Sequence, residues 1–457
     1  MLTALTIFLA IATVLMLAVH PVTGVVLLFI SKPIIDATWD VPLFLEMPLT
    51  QIISGLVPII VIGRMLVAKK DESFHAMPLR WMWLLYVCYA AIFSVFILYS
   101  QDLKTAANIF FRYLNGLAGF YMLQAFFHRD NRLKLIFIAM MLGGLFPLGI
   151  GLYQLATGTT WQSQAIEGIS RNIGLYHDAI VIRQYALQTI LAILLFGSLF
   201  AHQHILQLAG RLLYLSVATV VMAKAYSKAG FLTLGLWIGC WNGLQRRFAS
   251  LSMLVLLGFL GGSYYASQHI DAILQIFHKE IDFIGGTGGA ERTFNGRWYI
   301  WQEIFSEWGK LDWLARTFGS GRVALGAHND FLLMLFHGGV FGLLIYLALL
   351  GTIGFRILVS LRRKADPLTI ASLMAFLAWC VDAIGLVPSS YSGYQWFIWG
   401  IIGLSLRRRT LDNPSVLPSN EEIDASGPTR LQEGASASTK NGDRIRRFPI
   451  LSDVIYK

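Results

Sequence analysis

The feature that most constrains this chain is a succession of long apolar runs separated by short basic loops. A helix needs about 20 apolar residues to cross the hydrocarbon core of a bilayer. Such runs cover residues 49–67, 80–99, 105–127, 133–156, 180–201, 209–224, 229–244, 249–267, 329–355 and 368–387, with a shorter one at 394–406. Only 14% of the 457 residues are charged. The composition is therefore that of an all-α integral membrane protein and not of a soluble domain.

The basic residues of the chain fall in clusters on alternate loops. Cytoplasmic loops carry an excess of Lys and Arg, so we assign all of these clusters to the cytoplasm. The net charge of +10 then reflects topology and gives no reason to expect a nucleic-acid partner. The clusters are Arg64, Lys69, Lys70 and Arg80; Arg129, Arg132 and Lys134; Arg211; Arg246 and Arg247; Arg356, Arg362, Arg363 and Lys364; and Arg407, Arg408 and Arg409.

The first 36 residues allow either one long span or two short ones broken at Pro21. They lack the basic start and the small-residue cleavage site of a signal peptide, so we read them as a membrane anchor. A cytoplasmic N-terminus requires an odd number of crossings here. We therefore favour one net crossing, which predicts about twelve transmembrane helices in all.

The alternation of sides divides the chain into four parts. Residues 1–267 hold spans one to nine, with a short outer loop at 156–178, and residues 328–406 hold spans ten to twelve. Between them, residues 268–327 form a large outer loop in which RWYIWQEIFSEWGKLDWLA predicts an amphipathic helix at the membrane surface. Residues 407–457 are polar and rich in Ser, Gly and Pro, which predicts a disordered cytoplasmic tail.

Several basic residues lie near membrane depth on the outer side, where ionisable groups are costly and are candidates for function. Arg183 falls about one turn inside a span. It either reaches to the interface, paired with Asp178, or binds an anion, since its planar fork suits phosphate. The other basic residues of this set have similar alternatives. Each either anchors the chain at the interface or forms a solvated ion pair, or it binds an anion. They are Lys224 and Lys228 in AKAYSKAG, Arg292 and Arg297 in ERTFNGRWYIW and, more weakly, Arg112.

The stretch GAHNDFLLMLFHGG joins the large outer loop to the next helix. Asn329 and Asp330 suit the N-cap of that helix. A cap does not explain His328, whose imidazole would be kept neutral by the helix N-terminus and could act as a general base. His337, deeper in the span, is better explained as a packed or hydrogen-bonded histidine. Gly338, Gly339 and Gly342 allow close approach of a neighbour.

The motifs that are missing also narrow the chemistry. The sequence has no Walker motif, no HExxH and no DxD pair, and its three cysteines lie in apolar runs without metal-ligand spacing. The candidate residues that remain fit a reaction without metal or other cofactor, in which arginines bind phosphates and a single base accepts a proton.

The motifs of this chain resemble those of the bacterial O-antigen ligase family, within the wider O-antigen ligase and polymerase group. The family's signature is His-Asn, Ser or Gln, then nine residues, Gly, two residues and Gly, Thr or Tyr. Here it is met by His328-Asn329, Gly339 and Gly342. An Arg-x3-Leu signature is met by Arg183 to Leu187, and GRWYIW precedes an FGSGR stretch as in relatives. Where relatives have Ser-Arg-Gly, this chain has SKAG at 227–230, in which lysine keeps the charge and loses the bidentate fork.

The resemblance implies a GT-C-like glycosyltransferase of the bacterial inner membrane, with its active site facing the periplasm. It implies transfer of O-antigen from undecaprenyl diphosphate to a hydroxyl of the lipid A–core oligosaccharide, with inversion at the anomeric carbon. His328 would be the base, and the diphosphate ligands would be Arg183 and Arg297, followed by Arg292, Lys228 and Lys224. Membrane lipids are the other expected contact.

Other functions remain open at this point. An O-antigen polymerase or a protein O-glycosyltransferase would use the same lipid-linked donor, and the sequence barely separates them from a ligase. A polysaccharide-lipid transporter would predict Gly- and Pro-broken helices in two related halves. We find no such symmetry in the sequence.

Overall fold

The computed structural model describes residues 2–44, 46–68, 72–159, 161, 165–166, 169–200, 205–247, 249, 252–253, 282, 285, 296–323 and 326–412. The predicted span at 249–267, the first half of the large outer loop with Arg292, and the tail from 413 onward lie outside the described residues, apart from single positions. The tail was predicted to begin at 407, but helix continues to Asp412.

The described chain is built almost entirely of helices. Its two small sheets are antiparallel pairs, β1 (Pro42–Phe44) with β2 (Met47–Pro48) and β3 (Ala165–Ile166) with β4 (Ile169–Ser170). The α-helices are α1 (Leu2–Val19), α2 (Pro21–Asp36), α3 (Leu49–Val67), α4 (Arg80–Ser100), α5 (Leu103–Phe126), α6 (Asp130–Thr157), α7 (Ala179–Leu199), α8 (Ile205–Lys224), α9 (Lys228–Leu244), α10 (Arg297–Lys310), α11 (Trp313–Phe318), α12 (Asp330–Arg363), α13 (Pro367–Gly385) and α14 (Ser392–Asp412).

Eight of the described helices are long and apolar enough to cross a membrane, namely α1, α3, α4, α6, α7, α8, α12 and α13. The predicted all-α membrane class is therefore confirmed. The number of twelve spans stays a prediction. Large apolar side chains point outward from the helices at the edge of the bundle, as Phe8 on α1 and Leu213 on α8 do. Such surfaces suit contact with lipid chains.

The N-terminal 36 residues form a helical hairpin, of which only α1 is long and apolar enough to count as a membrane span, and the favoured single net crossing stays a prediction. The hydroxyl groups of Thr13 and Ser31 lie 3.0 Å apart, which is possible only if α1 and α2 run in opposite directions side by side. The turn between them lies beside the end of α3, where Arg64 donates to the carbonyl of Val19 at 3.0 Å. The chain therefore reverses at Pro21 and returns towards the end at which it started.

Helices α5 and α14 form the centre of the bundle, and both are buried along most of their length. Their backbones approach closely because glycines face the partner helix. A Cβ on Gly119 would lie 2.7 Å from the carbonyl oxygen of Gln395. Small residues at a crossing allow this close packing of membrane helices. The pair fixes the position of the loop before α14, which contributes to the site described below.

Among the described residues, the basic loops around 72–80 and 129–134 and the basic end of α14 lie together at one end of the bundle, here called the basic end. Arg408 forms an ion pair with Asp130 at 2.8 Å, and Arg132 lies 3.6 Å from Glu72. The opposite end, here called the polar end, gathers the loops near residues 100, 171–178, 225–228, 317–323, 326–329 and 385–391. Two contacts illustrate this gathering, since Trp301 donates to Ala327 O at 2.9 Å and Asn329 donates to Ile384 O at 3.0 Å.

Helix α12 is broken at Gly339, and the segment 317–321 fills the break. Gly339 has φ +64°, a left-handed conformation that side-chain-bearing residues rarely adopt. A break inside a membrane leaves backbone groups that need partners. Ser320 N–H donates to the carbonyl of Phe336 at 3.2 Å, and the Tyr89 hydroxyl lies 2.7 Å from the carbonyl of Gly338. The first part of α12 is thereby fixed against the outer-loop helices.

We predict that Gly339→Ala destabilises the protein by about 1–3 kcal/mol, because a Cβ at this positive φ is strained and would also collide with the carbonyl of Thr317. Thermal unfolding in detergent measures the effect. Gly351→Ala is the matched control in the same helix, since a Cβ there meets nothing within 4 Å. The control is expected to keep or slightly raise the midpoint. Equal midpoints for the two variants would contradict the proposed strain.

Candidate functional site

Arg183 is fully buried between helices α7, α9, α13 and α14. Its guanidinium donates to Asp382 Oδ1 at 2.8 Å and to Ser227 Oγ at 2.9 Å. Tyr394 donates to the other oxygen of Asp382 at 2.9 Å. Gly230 lies against the stem of Arg183, where a Cβ would be 2.9 Å from Cδ. The SKAG stretch therefore contacts Arg183 through the hydroxyl of its serine and the backbone of its glycine. The charge of Arg183 is balanced by the carboxylate of Asp382.

Two further arginines lie near Arg183 at the polar end and are only partly buried. Arg297 opens helix α10, and its guanidinium lies beside Gly385 at the end of α13. Burial lowers the pKa of Arg297, and the charge of Arg183 acts in the same direction. Burial also lowers the pKa of Arg171, where Asp178 opposes the effect and the other two arginines add to it. Arg171, Arg183 and Arg297, here called the arginine cluster, thus concentrate like charge, which favours an anion.

His328 stands at the N-terminus of α12, within electrostatic reach of this cluster. Its backbone has φ +42°, a left-handed conformation that is uncommon outside glycine. Its side chain remains exposed. Partial burial lowers the pKa of His328 and the charge of Arg297 lowers it further, with Asp178 opposing. A strained backbone and an imidazole kept neutral are features often found together at functional sites.

His177, Asp178 and Tyr391 form a wall beside the arginine cluster. The Asp178 carboxylate accepts from Tyr391 at 2.9 Å, lies 3.1 Å from His177 Nε2 and caps α7 through the amides of Ile180 and Val181. The rings of His177 and Tyr391 are stacked, with centroids 6.0 Å apart. Burial opposes protonation of His177, but its hydrogen bond to Asp178 and that charge outweigh burial and raise its pKa.

The structure distributes the remaining sequence candidates over different roles. Asn329 caps α12, accepting from Leu332 N at 2.9 Å, whereas Asp330 is buried and accepts from Ser389 and Tyr346 at 2.5 and 2.9 Å. Lys224 lies with its ammonium group 5.6 Å from the ring of Tyr226. The other four are placed as follows: Lys228 starts α9, Gly339 breaks α12, Gly342 lies against the ring of Tyr89, and His337 is buried with Nδ1 3.3 Å from the Tyr113 hydroxyl.

A cavity of about 370 Å³ lies on the other side of the wall. Helices α2, α3, α5, α7 and α14 enclose it, and His177 and Tyr391 face into it. His328 and the arginine cluster do not line this cavity. The polar end therefore has two adjacent polar regions separated by three side chains.

Sequence reasoning missed two of the residues that complete this arrangement. Arg171 lies in ISRNIG, inside the short outer loop at 156–178, and is not among the candidates that the sequence suggested. Asp382 lies in an otherwise apolar helix, and an acidic residue within a span is the signal that could have identified it as a partner for Arg183.

Comparison with known proteins adds no further constraint on this arrangement. No protein-family profile matches the chain, and no curated protein matches it either.

We predict that Asp382→Ala destabilises the protein by about 3–5 kcal/mol, because it leaves the buried Arg183 charge without a partner. Replacing both charges, Arg183→Met with Asp382→Leu, is expected to cost less than Asp382→Ala alone. Asp130→Ala, which removes a 78% exposed ion-pair partner, is the control and should be nearly neutral. Thermal unfolding in detergent compares them. A midpoint for Asp382→Ala equal to that of Asp130→Ala would contradict the assigned role.

Proposed function

We propose that the protein is a glycosyltransferase of the O-antigen ligase type, moving a glycan from a lipid diphosphate to a hydroxyl group of a lipid-linked oligosaccharide. The observation that carries the proposal is that His328 lies within the electrostatic influence of Arg297, which in turn lies near Arg183 and Arg171 at the polar end of a membrane bundle. The inner membrane, the periplasmic face, undecaprenyl diphosphate as carrier and lipid A–core as acceptor are parts of this proposal.

In the proposed reaction, His328 is the general base. Its ring nitrogen takes the proton of the acceptor hydroxyl while that oxygen attacks the anomeric carbon. The exposed position and the lowered pKa of His328 support this role, because a base must be neutral and reachable at working pH. The glycosidic bond forms as the bond from the anomeric carbon to the diphosphate oxygen breaks. Attack opposite the leaving group inverts the anomeric centre.

The leaving diphosphate gains negative charge as it departs, and fixed positive groups stabilise that charge. Arg297 and Arg171 are the strongest candidates because both are only partly buried and neither forms an ion pair among the described residues. Arg183 was the first choice from the sequence. Its full burial and its contact with Asp382 favour a positioning role instead. Lys228 and Lys224 rank below Arg297 and Arg171 as candidate ligands of the diphosphate. Arg292 lies outside the described residues.

A deletion strain complemented with variants tests the reaction. Loss of the whole O-antigen ladder from lipopolysaccharide gels, with accumulation of lipid-linked polymer, is the result expected of a ligase. A core that bears one repeat unit would instead indicate the polymerase. We predict that His328→Ala fails to restore the ladder, because the other imidazole beside the arginine cluster, His177, is paired with Asp178, which raises its pKa and disfavours the neutral form that a base needs.

The control for His328→Ala is His20→Ala, an exposed histidine at the basic end of the molecule. This variant should restore the ladder. Both proteins must be present at wild-type level in the membrane. A full ladder from His328→Ala would refute the assignment of the base.

The pH dependence gives a second test in purified protein. Because the pKa of His328 is lowered, the neutral base persists below its usual range. We expect kcat/KM to hold at neutral pH and to fall only below about pH 6.5. Arg297→Gln removes one cause of the lowering, so the acid limb should move to higher pH. Arg356→Gln, an exposed arginine on α12, should leave the limb unchanged. An acid limb that ignores Arg297→Gln would contradict the coupling.

A further inference from the structure

The cavity beyond the wall has the features of a binding site that the transfer reaction does not use. Its volume of about 370 Å³ lies within the range of about 300–1,000 Å³ common for small-molecule sites. It extends inward from the polar end along α7, from His177 to Gln188. Whatever occupies it would meet the side chains of five helices.

Two glutamines on α7 that line this cavity carry buried amide nitrogens without a hydrogen-bond partner among the described residues. Gln184 and Gln188 are 5% and 3% exposed, and the Nε2 atom of each has no hydrogen-bond partner among the described residues. They are four residues apart and so share one face of the helix. Buried amides are normally satisfied. Two unsatisfied donors on one cavity wall indicate that the missing partner is an acceptor-rich ligand.

Arg112 on α5 gives the cavity one positive charge, which the buried Asp330 offsets electrostatically without a direct ion pair. It is partly buried and lines the cavity, and its guanidinium has no hydrogen bond or ion pair with any described side chain. Lys32 and Asp36 also line the cavity, and their charges neutralise each other because the two side chains form an ion pair. Tyr185 also donates to Asp36, at 2.5 Å. The lining therefore favours a ligand with an anionic group.

The rest of the lining suits a group with hydroxyls and an apolar face. Trp39, Phe111 and Phe397 contribute rings, and Ser390 and Asn108 contribute small polar side chains. Rings with a few convergent polar groups are typical of sites that orient a ligand.

We propose that this cavity binds an anionic, hydroxyl-bearing head group, either of a sugar phosphate or of a phospholipid. The phosphate pairs with Arg112, and oxygens of the ligand accept from Gln184 and Gln188. The proposal goes beyond the transfer reaction and does not depend on it, since neither His328 nor the arginine cluster lines the cavity.

Binding to the purified full chain tests the proposal. Calorimetry in a neutral detergent uses glucose 1-phosphate, glucose and inorganic phosphate as probes, and native mass spectrometry measures retention of phosphatidylglycerol. We expect glucose 1-phosphate to bind at least about tenfold more tightly than glucose, and Arg112→Gln to weaken binding about tenfold or more. Gln188→Glu, nearly the same shape with a negative charge, should abolish binding.

Two controls separate this site from the transfer site. His328→Ala should bind as the wild type does, whatever its activity, so failure of the transfer reaction would leave this result intact. Arg322→Gln removes an exposed arginine at the same end of the molecule and should also bind normally. Arg112→Lys keeps the charge and should retain part of the affinity, which guards against a misfolded Arg112→Gln.

The outcomes divide clearly. Binding of glucose 1-phosphate that depends on Arg112 supports the soluble source, and retention of phosphatidylglycerol that depends on Arg112 supports the lipid. If neither probe binds the wild type, or if Arg112→Gln and Gln188→Glu bind both probes as the wild type does, the proposal is wrong.

Discussion

The ion pair between Arg183 and Asp382 is the interaction on which the polar end depends. A charge buried in a membrane bundle is tolerated only when it is paired and hydrogen-bonded, and this pair meets that condition by recruiting Ser227 and Tyr394. Four helices, α7, α9, α13 and α14, are thereby joined through one set of contacts. Arg171, Asp178 and Tyr391 lie in loops that begin or end on these same helices, so their relative positions follow from the pair.

The hydrogen bonds that satisfy the backbone at the break in α12 fix the position of His328 in a similar way. The break at Gly339 exposes carbonyls that segment 317–321 and Tyr89 cover, which ties the outer-loop helices to α12. His328 stands at the other end of the same short helical piece. Its position is therefore set from both sides, by the inserted segment and by the contact of Asn329 with Ile384. An unbroken helix would leave no free carbonyls at this point for segment 317–321 to bind.

The sequence predicts what local periodicity and local chemistry decide. The helical spans follow from apolar run length, and Asn329 follows from cap preference. The break at Pro21 was one of two readings of the first 36 residues, and loop charge could not decide between them because the turn carries no Lys or Arg. The pair of Arg183 with Asp382 was missed for a different reason. It joins residues 199 positions apart, and no rule on neighbouring residues connects them.

Asp178 interacts with both regions of the polar end, the arginine cluster and the cavity, while the wall to which it belongs keeps the two regions separate. One carboxylate caps α7, accepts from Tyr391 and pairs with His177, so both rings of the wall are fixed by a single group. The same carboxylate acts electrostatically on Arg171 and His328. It offsets part of the arginine cluster's charge, while its contacts with His177 and Tyr391 hold it in the wall. An anion in the cavity would face the protonatable ring of His177 before it reached the cluster. One carboxylate therefore fixes both rings of the wall, and the wall separates the arginine cluster from the cavity at the same end of the bundle.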